Sequence, residues 1–68
     1  MTHHARKVSP FRVQIPAYTD RWMMGDRYGA VQAEREYSKR GTSNTQWQVL
    51  LDKSNKLVWV RADDCTVV

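Results

Sequence analysis

A chain of 68 residues with 11 Lys and Arg against 7 Asp and Glu, net +4, has room for one domain with one small core, and its positive balance favours acidic partners such as nucleic acid. A single cysteine, Cys65, excludes any disulfide within the chain, and one Cys with the pair His3–His4 cannot supply the four ligands of a structural zinc site, so no cofactor is expected. The longest apolar runs are three to four residues, against the roughly 20 that cross a bilayer, and residues 1–10 hold no apolar leader core, so the sequence predicts a cytoplasmic protein.

Residues 1–9, MTHHARKVS, read as a flexible basic arm, and residues 10–68 as the folded domain. Residues 11–15, FRVQI, alternate with period two: Phe11, Val13 and Ile15 share one face of a strand, bracketed by Pro10 and Pro16. A long aromatic loop follows over 16–29, in which Asp20 could cap one helical turn through Arg21, Trp22 and Met23, while Gly25 and Gly29 mark turns. Residues 30–40, AVQAEREYSKR, have a helix-prone composition. Their alternation, however, turns Val31, Ala33 and Tyr37 inward and Gln32, Glu34 and Glu36 outward, and a strand is predicted on that ground. Were this stretch helical, the domain would be α+β with a three-stranded sheet.

GTSN at 41–44 reads as a polar turn, and KSNK at 53–56 as the loop of a hairpin between TQWQVLLD and LVWVR. Pairing Asp52 with Leu57 places Leu51 opposite Val58, Leu50 opposite Trp59 and Val49 opposite Val60. Cross-strand partners share a face, so Val49, Leu51, Val58 and Val60 point to one side and Leu50 and Trp59 to the other. The end of the chain, ADDCTVV, reads as a tight turn and a short closing strand with Cys65 and Val67 inward.

Strand, long loop, long strand, turn, hairpin, tight turn and short strand is the plan of an all-β, small SH3-like barrel of about five strands. GDRYGAV at 25–31 resembles the Gly-x-Val core of KOW-type segments in such barrels. The wider string, with YTDRWMMGDRYG, the hairpin and the terminal DDCTVV, resembles small barrel proteins carried by bacteriophages and prophages. Over residues 11–68 this resemblance implies a fold and a provenance in a bacterial host, and no activity.

No Ser-His-Asp or Cys-His arrangement can be assembled on ordered elements, so a non-enzymatic binding module is expected. Cations interleaved with aromatics suggest nucleic-acid binding through Arg21, Arg27, Tyr28, Arg35, Tyr37, Lys39 and Arg40, with the long loop and the end of the long strand brought close together. Trp22 within that loop is expected to plug one end of the barrel. The alternative partner is a host protein, or a second copy in a homodimer, bound through Leu50, Trp59 and Arg61 on the outer face.

Overall fold

The computed structural model describes residues 5–68, with the backbone alone of Lys39. Strand β1 spans Ala5–Gln14, a helical turn α1 Asp20–Met23, β2 Tyr28–Lys39, β3 Thr42–Leu51, β4 Leu57–Arg61, a 3₁₀ turn Ala62–Asp64, and β5 Thr66–Val67. All pairs are antiparallel, in the order β4-β3-β2-β1-β5. A meander whose last strand returns beside the first is the SH3-like order predicted from the sequence. The sheet curls into a half-barrel that stays open between β4 and β5.

The core lies on the concave face. Val13 from the end of β1, Ile15 just after it, Val31 from β2, Val49 and Leu51 from β3 and Val60 from β4 are buried, with Val8, Phe11, Trp22, Trp47, Val58 and Cys65 packed against them. Each full burial of a Val, Leu or Ile stabilises by about 1.5–3 kcal/mol, and β-branched side chains suit the pleated surface. The sorting of Val49, Leu51, Val58 and Val60 inward therefore agrees with their period-two pattern, and Trp22 packs on the core from the long loop.

The helix-prone stretch is strand as far as Lys39, with Arg40 in the turn that follows: β2 pairs with β3 from Gly29 to Lys39 and, among the described residues, with β1 as far as Arg35. Its composition is overridden by two flanking ladders. The expected flexible arm is also corrected, because residues 5–9 belong to β1, with Ala5, Arg6 and Lys7 opposite Arg35, Glu34 and Ala33; His3 and His4 lie outside the described residues. The helical turn is capped by Thr19, whose Oγ1 accepts from the Trp22 amide at 3.3 Å, and Asp20 is its first residue.

Two turns differ from expectation. The β2–β3 connection is Arg40-Gly41, both with positive φ (52° and 78°), the type I′ pattern that matches strand twist and needs only two residues; GTSN does not form the turn, because its Thr42, Ser43 and Asn44 are already in β3. In the β3–β4 hairpin Asn55 takes the left-handed conformation that Asn tolerates (φ 59°), and Leu51 donates to the Lys56 carbonyl at 2.9 Å. The loop closes one residue earlier than KSNK, so the register moves by two: Leu50 faces Leu57, Val49 faces Val58, Gln48 faces Trp59 and Trp47 faces Val60. A slip of two keeps every side chain on its predicted face while changing its neighbour. Val67, expected inward, is exposed on the short edge strand.

The largest departure is a β-bulge. Val31 faces Val49, yet Ala33 faces Gln48, so Gln32 is an extra residue; across from it, Val8, Ser9 and Pro10 bulge from β1. Pro10 cannot donate to a ladder and is tolerated there. The bulge reverses the alternation beyond it. Ala33, Arg35 and Tyr37 join the outer face, opposite Gln48, Gln46 and Asn44, and Glu34 and Glu36 join the inner face, opposite Trp47 and Thr45. The expected inward Tyr37 and outward Glu34 and Glu36 are thus inverted. Ala33 is buried but stands apart from the core cluster.

Candidate functional site

The register arranges the outer face in rows. One row runs Arg12, Ala30, Leu50, Leu57; the next Lys7, Ala33, Gln48, Trp59; the next Ala5, Arg35, Gln46, Arg61; and Tyr37 with Asn44 continues towards the β2–β3 turn. The Arg35 guanidinium lies 4.0 Å from the centroid of the half-buried Trp59 ring, and its Nε donates to Gln46 Oε1 at 2.9 Å. A cation over an indole face contributes about 0.5–1 kcal/mol at an exposed site, and the Gln46 bond fixes the fork's orientation. Arg61, two residues beyond Trp59 on the same strand, is exposed and has Asp64 at 3.9 Å. Asp64 also accepts from the Tyr18 hydroxyl, which keeps that phenol protonated above its ordinary range.

The strand carboxylates Glu34 and Glu36 lie off this face, whereas Asp52 and Asp64, from the connections, meet its Arg12 and Arg61. Glu34 turns to the concave side, accepting from Arg6 Nε at 3.1 Å and Nη2 at 2.5 Å and from Trp47 Nε1 at 3.1 Å. Trp47 in turn meets Phe11 edge-to-face at 5.0 Å. The Arg6 bonds first, and the indole bond second, hold the Glu34 carboxyl below the usual carboxylate range. Glu36, also on that side, accepts from Thr45 at 2.7 Å and Ser43 at 3.3 Å. Asp52, at the β3–β4 loop, is engaged by the Arg12 guanidinium, which lowers its pKa. Around Arg35 and Trp59, the outer strand positions carry cations, amides and aromatics, with no acidic residue among them.

The residues expected to bind nucleic acid do not form one patch. Arg21, Arg27 and Tyr28 sit at the long-loop end. Arg21 is half-buried, 3.6 Å from the buried Asp26; Arg27 lies over Trp22, 4.8 Å from the ring centroid; Tyr28 is exposed where β2 begins. Arg35, Tyr37 and Arg40 lie towards the other end, with Arg40 exposed at the turn and the Lys39 backbone paired to Thr42. From Tyr28 to Tyr37 is nine residues of strand, roughly 30 Å at 3.3 Å each. The expectation that the two regions meet is corrected for that reason. Instead the bulge joins Arg35 and Tyr37 to Leu50, Trp59 and Arg61, merging half of one expected site with the other. Lys7 and Gln46 were missed. The signal available in the sequence was Pro10 inside an otherwise extended run, which marks a bulge or an edge.

Cys65 is half-buried and donates to the Arg61 carbonyl at 3.4 Å; burial, and secondarily the Asp64 charge, push its thiol from 9.0 up to about 11. Two units leave roughly 100-fold less thiolate at pH 8, offset in part by the greater nucleophilicity of a more basic thiolate. Alkylation of the folded protein should run roughly tenfold slower than that of the urea-unfolded chain. Equal rates by mass spectrometry would mean that the thiol is not held in this way. Among the described residues no group of three or more His, Cys, Asp or Glu could hold a metal ion, and no helix is long and apolar enough to cross a membrane.

The fold and face together define a small, basic, all-β barrel with a cation–aromatic outer sheet. Comparison with family models, curated proteins and solved structures finds no match to this chain.

Proposed function

We propose that the chain is a non-enzymatic nucleic-acid-binding module that uses the outer face of β2, β3 and β4, working in the cytoplasm. The observation that carries this reading is the Arg35–Trp59 pair at 4.0 Å, flanked by Arg61, Lys7, Tyr37, Gln46 and Gln48 on strand positions with no acidic residue among them. Cations neutralise phosphates, guanidinium and indole planes stack on bases, and amides hydrogen-bond base edges. With Glu34 and Glu36 on the concave side, Lys7 and Arg35 occupy outer strand positions that have no strand carboxylate beside them.

Fluorescence anisotropy with labelled oligonucleotides tests it. Affinity should fall steeply with salt; Trp59→Ala should cost about 1–3 kcal/mol, the scale of one stacked base, and Arg61→Ala should reduce the salt slope by about one. Circular dichroism of each variant separates binding loss from unfolding. Absence of salt-sensitive binding to any single- or double-stranded oligonucleotide refutes the reading. A second reading has one observation of its own: Leu50 and Leu57 are a cross-strand pair beside Trp59, and Leu57 is 55% exposed. That apolar corner suits a host protein or a second copy. Association that survives high salt and nuclease and is lost in Leu57→Lys would favour it.

A further inference from the structure

The centre of the outer face is unbalanced in its hydrogen-bonding groups. Arg35 and Trp59 carry side chains that donate and do not accept, and so do Lys7 and Arg61 beside them. In the two rows that hold these four residues, the side-chain acceptors are the amides of Gln46 and Gln48.

The Gln46 oxygen is already committed. Arg35 Nε carries a hydrogen and no lone pair, so an amide can meet it only through oxygen, and Gln46 Oε1 does so at 2.9 Å. The oxygen and nitrogen of an amide diverge from one carbon, so the same bond turns the Gln46 NH2 group away from that contact. The Arg35–Gln46 pair therefore has hydrogens to offer and its one oxygen in use. The Arg35 guanidinium carbon stands 4.0 Å from the Trp59 ring centroid, at stacking height over the indole. Arg35, Gln46 and Trp59 are all half-buried, which limits the ways in which the fork can turn.

Purines differ in what they show to such a fork. Guanine has two neighbouring acceptors, O6 and N7, whereas adenine has N7 beside the donating N6 amino group. A glutamine reads adenine by giving to N7 and taking from N6, which needs both atoms of its amide. Gln46 has only its nitrogen left for that task. Gln48 keeps a whole amide, but a hydrogen bond with a charged donor is roughly twice as strong as a neutral one, so the Arg35 fork decides.

We propose that the Arg35–Gln46 pair selects guanine, with the Arg35 Nη groups donating to O6 and N7 of an unpaired guanine that lies in the guanidinium layer beside Trp59. The inference rests on the nucleic-acid reading above and names the base that its site prefers. Adenine in the same place would set its amino group against a donor and leave one of the two unmatched. The base is unpaired because a base inside a duplex keeps its faces covered by its neighbours and cannot reach a side chain on a sheet surface. Gln46 acts as a positioning residue, since it holds the guanidinium through Nε and leaves the Nη edge to the base.

The test varies one base. Fluorescence anisotropy is measured on a labelled thymine single strand of about 11 nucleotides with one central purine, which is guanine, adenine, hypoxanthine or 7-deazaguanine. Guanine should bind roughly tenfold tighter than adenine. Hypoxanthine, which keeps O6 and N7, should bind like guanine, and 7-deazaguanine, which lacks N7, should fall towards adenine. Arg35→Lys keeps the charge and loses the fork, so it should bring guanine and adenine within about twofold of each other. Gln46→Leu should lower the guanine-to-adenine ratio with the salt slope unchanged, because no charge is altered. The four wild-type measurements decide the question whether or not the variants fold, which circular dichroism checks. Equal binding of guanine and adenine, full-strength binding of 7-deazaguanine, or an undiminished ratio in folded Arg35→Lys overturns the guanine assignment and leaves the outer face standing. No salt-sensitive binding to any of the strands overturns both.

Discussion

Replacing Gly29 by Ala is expected to cost the protein about 2–3 kcal/mol, a large part of its stability. Gly29 sits in β2 between Val13 of β1 and Leu51 of β3, and a Cβ there would lie 2.5 Å from the Leu50 carbonyl oxygen and 2.5 Å from Val49 Cγ1. The Val49 methyl is packed in the core and the carbonyl belongs to the neighbouring strand, so neither can move without breaking contacts of its own. Ala for Gly gains about 0.4–1 kcal/mol by restricting the unfolded chain, but overpacking a tight site costs about 1–3 kcal/mol, and a clash against backbone lies at or beyond the upper end. A single core of this size supplies only about 3–5 kcal/mol in total, so the variant keeps a small margin and unfolds at much lower urea. Urea titration followed by tryptophan fluorescence is the check. A cooperative transition within 0.5 kcal/mol of wild type, an interval small against those costs, would mean that the two strands are further apart than described.

Trp47 carries the second large effect. It buries part of its ring against the core, meets Phe11 edge-to-face at 5.0 Å and donates to Glu34 at 3.1 Å, linking β1, β2 and β3 at the mouth of the concave side. Full truncation of a buried Trp costs about 3–5 kcal/mol; for this half-buried one about 2–3 kcal/mol is expected for Trp47→Ala. Trp47→Phe keeps an aromatic partner for Phe11 and loses the indole donor, at about 1 kcal/mol. The pair is separable by pH. Because Glu34 has a folded pKa below its unfolded value, its stabilisation is fully present above the ordinary Glu range of about 4.3 and fades as pH falls through the lowered value. Trp47→Phe should raise the Glu34 pKa part of the way back, with the larger Arg6 contribution intact, and so lessen the acid loss of stability. Carboxyl carbon chemical shifts of Glu34 measure this directly, and an unchanged titration would remove the indole bond from the account.

Much of the architecture is legible in the residues because most of its strands are written in period two. FRVQI sorts its own faces, the hairpin pairing sorts the VLL and LVWV segments, and a register error of two in that hairpin did no harm to the sorting. The details lost are those set by single backbone conformations. Asn55 and Arg40 adopt positive φ without the Asn-Gly or Asp-Gly pair that announces such turns. Gln32 is an ordinary strand residue and gives no local sign of being an insertion, since a bulge is a relation between two strands. The site suffered most, because a face assignment that is right on one side of Gln32 is wrong on the other. Arg35 and Tyr37 were singled out for their chemistry, whereas their partnership with Trp59 could be read only from the ladder.

Gln32 therefore acts as a one-residue phase switch for the surface. Without the extra residue, Glu34 and Glu36 would stand beside Trp59, and Arg35 and Tyr37 would turn towards the hollow of the barrel. Composition, net charge and strand order would all be nearly unchanged, yet the outer sheet would repel the polyanion it is proposed to hold. The chemistry of this molecule's outer sheet is set by the count of residues between Val31 and Ala33, a quantity that no inventory of its charges contains.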